Sequence, residues 1–310
     1  MIKPLGTTAV ALLVAGTLAP TPASATPATP ARTAVNCYVH ASSITAVGDH
    51  NNVAVVSTTP PKATSGTLGR GAFAPGQVKV MATMSVLIDQ GPDGSEHDVY
   101  GYVIIGDALY QAAYGAHDDG IIDHPPAGLR RIGGGWGNFT MVEEAEYQGP
   151  TEAGISRWTV YGLRNDGVLF RWTVSSKGVW RSAGSTPGFS AVKSMSLISK
   201  TATYDTFVAN TRGGALYTIH IPISSPMKPV VKQVRTRTWQ GFETLITQQC
   251  GVYGSLLLGI DKDTDSAYLY AVGRYTGLST VIQSMGKVPA TLPDNVYAGL
   301  KDAGSPKHAE

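Results

Sequence analysis

One short pattern recurs along this chain, and its spacing constrains the fold more than any other feature. "WGNFTMVEEA" from 136, "TPGFSAVKSM" from 186 and "WQGFETLITQ" from 239 align, and "APGQVKVMAT" from 74 and "LPDNVYAGLK" from 292 fit the same frame. The fourth position of the copies is Gln77, Phe139, Phe189, Phe242 and Asn295, with gaps of 62, 50, 53 and 53 residues. Each of the first four copies is followed by a strand start ending in an aromatic residue: "GDALY" at Tyr110, "DGVLF" at Phe170, "GGALY" at Tyr217 and "SAYLY" at Tyr270. Between these lie short runs rich in β-branched and aromatic residues, such as "DVYGYVIIG" and "SLLLGID", bounded by Gly, Asn, Asp or Pro. Such runs read as strands joined by hairpins. No sustained apolar period of 3.6 marks a helix. Four short strands per unit of about fifty residues is the signature of a β-propeller blade.

The fifth copy stops early, with fifteen residues after Asn295. "SSITAVGDHNNVAVVSTT", 42–59, supplies the missing strand, turn and strand. The expectation is an all-β, five-bladed β-propeller over 37–304, its closing blade shared between the N- and C-terminal segments. A pair of β-sandwiches is the competing arrangement. Closure of a ring removes the sheet edges that an open array would leave unpaired.

The N-terminus reads as a secretory signal peptide over 1–25: Lys3, an apolar run from Thr8 to Leu18, and Ala23-Ser24-Ala25 before the cut. Residues 26–36 form a Pro/Thr/Ala lead-in expected to be disordered, as is a tail at 305–310. No run reaches the length of a membrane span. The expected location is therefore extracellular. Net charge is +2 with no basic run, which argues against a nucleic-acid partner. Cys37 and Cys250 are the two cysteines, and in a secreted chain they are expected to form one disulfide; two separate buried thiols are the alternative.

A hydrophobic strand, "G-x-L-Y", a strand and then "I-G-x-G-W-x-x-F" resemble the repeats of the tachylectin-type five-bladed propeller lectins, and "RIGGGWGNF" at 131–139 matches that motif nearly in full. "GSTPGF" at 184–189 lacks the Trp, and "RTWQGF" at 237–242 keeps Trp239 without the glycine run. The resemblance implies a secreted protein that binds N-acetylated sugars, with one site per blade and no cofactor. The N-terminal composition has a bacterial look, which sets aside "NFT" at 138–140 as a glycosylation site.

The candidate ligand-binding residues are Gly134, Gly135, Trp136, Asn138 and Trp239. An exposed Trp offers a flat apolar face on which the C–H face of a sugar can stack, and glycines beside it allow backbone N–H groups to approach hydroxyls. The same tryptophans could instead pack between blades, and both readings stand for Trp136 and Trp239. Phe139, Phe189 and Phe242 recur in register and read as core wedges. "RNDG" at 164–167 reads as a turn. "DKDTDS" at 261–266 lacks the Gly and the closing Glu of a calcium loop and also reads as a turn. "HDDGIIDH", with His117, Asp118, Asp119, Asp123 and His124, matches no metal-ligand spacing and reads as a solvated insertion within 115–128. Glu143, Glu144 and Glu243 are the carboxylates a glycoside-cleaving enzyme could use. They lie in no recognisable glycosidase motif and read as surface or salt-bridge residues. A non-catalytic carbohydrate-binding protein is the first functional expectation; a glycoside-active enzyme and a protein-interaction scaffold are the alternatives.

Overall fold

The computed structural model describes residues 36–88, 96–123, 125–149 and 155–302. The expected signal peptide, nearly all of the lead-in, the tail at 305–310 and His124 lie outside the described residues. Strands dominate; a single 3-10 turn at Gly277–Ser279 is the one helical element among the described residues. No helix among the described residues is long and apolar enough to cross a membrane.

The N-terminal segment forms β1 (Tyr38–Ile44), β2 (His50–Val56) and β3 (Lys62–Gly69). An inner strand broken into β4 (Val78–Met81) and β5 (Met84–Ile88) leads into β6 (Glu96–Ile105), β7 (Ala108–His117) and β8 (Gly128–Gly134). Next come β9 (Phe139–Gln148), β10 (Ile155–Arg164), β11 (Leu169–Val174) and β12 (Trp180–Thr186). A third run is β13 (Val192–Lys200), β14 (Tyr204–Thr211), β15 (Leu216–Pro222) and β16 (Val230–Arg235). A fourth is β17 (Thr244–Cys250), β18 (Gly254–Asp261), β19 (Ser266–Val272) and β20 (Ile282–Lys287). The chain returns in β21 (Val296–Asp302).

The last three runs are four-stranded antiparallel sheets. The remaining strands form one nine-stranded sheet in the order β3-β2-β1-β21-β5-β6-β7-β8, with β4 also on β6. Its two halves are joined by a short parallel pairing of Leu300–Asp302 with Met84–Val86. The C-terminal strand thus completes a sheet begun at the N-terminus, with Ala41–Ile44 opposite Val296–Gly299. The inner strands touch in a cycle, β4 to β9, β9 to β13, β13 to β17, β17 to β21 and β21 to β4. This is an all-β propeller of four-stranded sheets set around an axis, not two facing sandwiches.

Apolar clusters fill the junctions between neighbouring sheets. Tyr102, Leu109, Trp136, Phe139 and Val160 form one; Tyr161, Phe189, Phe207 and Met227 form the next. Burial of such side chains contributes about 1.5–3 kcal/mol each, which makes the junctions the main source of stability. Polar latches add direction. Arg157 pairs with Asp205 at 2.6 Å, and the Tyr161 hydroxyl donates to the same carboxylate at 2.9 Å. The His50 ring bridges Ser42 and the Tyr114 hydroxyl between the closing sheet and β7. Cys37 and Cys250 form a disulfide with Cα atoms 5.6 Å apart, tying the entry of β1 to the end of β17.

One backbone hydrogen bond recurs at five places and sets the register of the repeats. The amides of Phe73, Trp136, Phe189, Trp239 and Leu292 donate to the carbonyls of Gly48, Asp107, Gly167, Gly214 and Asp265, each in the hairpin turn of the sheet before. All five side chains are buried, at 2, 6, 7, 5 and 1% exposure. This corrects the sequence register. Phe189 does not stand with Phe139; it takes the place of Trp136, and Val192 takes that of Phe139, each donating its amide to the residue three before. The "SAYLY" copy is also displaced: Tyr268, not Tyr270, lies opposite Gly259 as Phe170 lies opposite Gly162.

The insertion is less solvated than its composition suggests. Ile122 is buried against Tyr114, the Gly120 carbonyl accepts from the Arg70 amide, and His117 pairs with Asp123 at 3.2 Å. "RNDG" and "DKDTDS" form hairpin turns, the second held by Asp261 Oδ1 accepting from Asp263 and Thr264.

Candidate functional site

The end of β8 and the "GGGWGNF" run meet the outer strands of the next sheet, and a pocket of about 410 Å³ opens between them. Its walls are Gly133–Trp136 on one side and Phe170, Trp172, Trp180 and Ser182 on the other, with Arg164 at the rim. Phe170 and Trp172 are two apart on β11, so strand alternation points both to the same face. Their rings stack at 5.7 Å with an interplanar angle of 14°. Both are half-buried, as is Trp180. Arg164 lies over Phe170 at 4.9 Å and is held there by Asp166 at 2.7 Å. An aromatic floor with a charged, hydroxyl-bearing rim can stack on the C–H face of a sugar while its edge hydrogen-bonds to hydroxyls.

Trp136 does not stand free in this pocket. Its ring centroid lies 4.4 Å from that of Phe139 and 4.8 Å from that of Trp172, and it is buried although it lines the cavity. Two of the glycines hold the turn. The amides of Gly135 and Gly137 donate to the Asp107 carboxylate at 3.1 and 2.9 Å, and these bonds hold that carboxyl below the usual range. Gly135 has φ +84°, a conformation that costs a side chain strain, and a Cβ on Gly137 would sit 2.8 Å from Asp107 Oδ1. The expectation of free glycine amides is therefore corrected: at 135 and 137 they are already satisfied. Asn138 is exposed, outside the pocket lining, with its carbonyl accepting from Asn165.

Trp239 packs on Tyr270 at 4.9 Å and Phe242 at 5.6 Å and is buried. Both tryptophans pack between sheets, and Trp136 also lines the pocket. Sequence reasoning missed Phe170, Trp172, Trp180 and Arg164 as pocket residues. The signal was "LFRW", whose alternating aromatics mark one face of a strand.

A second cavity lies on the axis and is lined from β4, β9, β13, β21 and the start of β17. Glu143 and Glu243 both reach it. Glu243 is committed to the Lys193 ammonium and accepts from the Lys262 amide at 2.9 Å. Glu143 Oε2 accepts from the amide and hydroxyl of Thr83 at 3.3 and 3.0 Å. Glu144 does not join them. It is buried beside Lys301 at 3.9 Å, accepts from Trp158 Nε1, and is raised by burial to about 7. Two of the three carboxylates thus share a pocket, each already engaged by protein donors. All three are more enclosed than a surface role allows, and Glu243 and Glu144 take the salt-bridge role that was the other expectation.

No family model matches the chain, and no curated protein matches it in sequence. Among solved structures it is similar to a fungal lectin, the six-bladed Aleuria aurantia lectin with a novel fucose recognition mode, at 14% identity and a TM-score of 0.49, over 86% of this chain and 85% of that one. A mutant of that lectin in complex with Fucα1-6GlcNAc gives 13% and 0.46, over 86% and 85%. The GH43_1 enzyme from Xanthomonas citri complexed with xylotriose gives 11% and 0.37, over 69% of this chain and 75% of that one.

Proposed function

We propose that this chain is a secreted, non-catalytic carbohydrate-binding propeller whose sugar site is the aromatic pocket between Gly133–Trp136 and β11–β12. The observation that carries the reading is the stacked, half-buried pair Phe170 and Trp172 beside the Arg164–Asp166 rim. Each aromatic ring supplies a sequence-tolerant apolar face, and the rim supplies donors and acceptors for hydroxyls. Counting the nine-stranded sheet as two blades supports a five-bladed ring, in keeping with the tachylectin-type resemblance. N-acetylated sugars are the class that resemblance implies, and they are the first ligands to test.

The wedge position is apolar in every copy, but the aromatic pair is not kept in every sheet. Phe170 and Trp172 correspond in register to Tyr217 and Ile219 in one sheet and to Tyr268 and Tyr270 in another. The sugar sites are therefore fewer than the blades. A glycan array probed with the folded protein, followed by titration of Trp172→Ala, tests the proposal. Binding that is lost in this variant with the melting curve largely kept supports it. No binding above background on any glycan sinks it.

A further inference from the structure

The axial cavity shares no lining residue with the aromatic pocket and is small, about 150 Å³. Its deepest charged group is Glu143, nine-tenths buried. One oxygen is occupied by Thr83, while Oε1 has neither a hydrogen-bond partner nor a cation at ion-pair distance among the described residues. Buried carboxylates are normally paired, because an uncompensated charge taken out of water is costly. The cations around this cavity do not supply the missing partner. Lys193 is bound to Glu243, and Lys262 Nζ is bound to the Asn295 carbonyl. Lys79 is the exposed lysine of the lining, with no hydrogen bond or close ion pair among the described residues, its charge acting at longer range on Asp107.

One cavity thus carries a buried acid without a cation partner and an exposed ammonium. Three lysines against two glutamates leave the lining at net +1. A simple cation meets that excess before it reaches Glu143, and a simple anion that passes Lys79 meets Glu143. A molecule carrying both charges satisfies each end. Met81, Met141 and Met195 line the wall between and offer adaptable apolar contact to a short carbon skeleton. We propose that the axial pocket binds a compact zwitterion of the amino-acid class, its ammonium on Glu143 Oε1 and its carboxylate toward Lys79. The site is independent of the sugar pocket.

Isothermal titration of the intact protein with glycine, β-alanine and 4-aminobutyrate spans three charge separations, and ethylamine and propionate serve as single-charge controls. One zwitterion is expected to bind at one site, at least tenfold tighter than either control. Glu143→Gln and Lys79→Glu are each expected to weaken it by tenfold or more while leaving sugar binding unchanged. Lys79 is exposed, so its variant carries the test even if Glu143→Gln does not fold. The proposal is overturned if none of the three zwitterions gives heat at millimolar concentration. It is equally overturned if propionate binds as tightly as the best zwitterion, or if binding survives Lys79→Glu undiminished.

Discussion

Replacing Trp136 by Ala separates the packing role from the binding role. The ring is 94% buried and lies against Phe139, Trp172 and Trp180 at 4.4, 4.8 and 6.4 Å. A buried Trp covers roughly 150–250 Å², or about 4–6 kcal/mol at ~25 cal/mol per Å². Ala retains part of this, and the flanking rings can close only partly on the void, so the expected cost is about 3–5 kcal/mol. Trp172 is only partly buried, so its truncation opens in part to solvent. The expected cost there is about 2–3 kcal/mol by the same area argument. Urea unfolding followed by circular dichroism reads both values, and sugar titration reads binding under conditions where each variant is folded. The account expects Trp136→Ala to lose more stability and Trp172→Ala to lose more affinity. A Trp136→Ala protein that unfolds at the wild-type midpoint yet binds no sugar refutes the reasoning, because the ring would then be a ligand platform and not a wedge.

Thr238 precedes Trp239 with φ +85°, where Gly135 and Gly188 precede the same position in other repeats, and its side chain is exposed. Strain of about 1–3 kcal/mol outweighs the added freedom of glycine in the unfolded chain, about 0.4–1 kcal/mol, so Thr238→Gly should raise the urea midpoint. Reducing the Cys37–Cys250 bond, which spans 213 residues, should remove about 5 kcal/mol on the chain-entropy estimate and lower the melting temperature; an unchanged melt counts against a structural disulfide. Burial lifts Glu144 from 4.5 to about 7, so its contribution to stability is full below about pH 4.5 and is lost as pH rises to about 7. Glu144→Gln should flatten that fall, and stability measured from pH 4 to 8 in both proteins checks it.

The strand pattern, the repeat and the closing disulfide were legible because each depends on local sequence: alternation, turn residues and cysteine count. The register of the wedge was not. Phe139, Phe189 and Phe242 align by letter, yet Phe189 occupies the slot of Trp136, because the slot selects apolar bulk and a donated amide rather than one residue type. Phe73 and Leu292 fill it as well, and neither carries the motif. The glycine run misled for a related reason. Its amides are conspicuous in sequence, but Asp107, 28 residues before Gly135, consumes them, and no local pattern links the two. Trp172 was overlooked because its partner wall comes from another sheet. A pocket that forms only when β8 meets β11 and β12 leaves half its signature in each segment.

The most direct test of the sugar site uses the five tryptophans as reporters, since each contributes one indole N–H signal. Titration of the labelled protein with N-acetylglucosamine, or with the strongest glycan from the array, should shift the signals of Trp172 and Trp180. The signals of Trp158, bonded to Glu144, and of the buried Trp239 should stay in place. Shifts confined to Trp239 or Trp158, with Trp172 unmoved at saturating sugar, contradict the assignment of the aromatic pocket as the binding site.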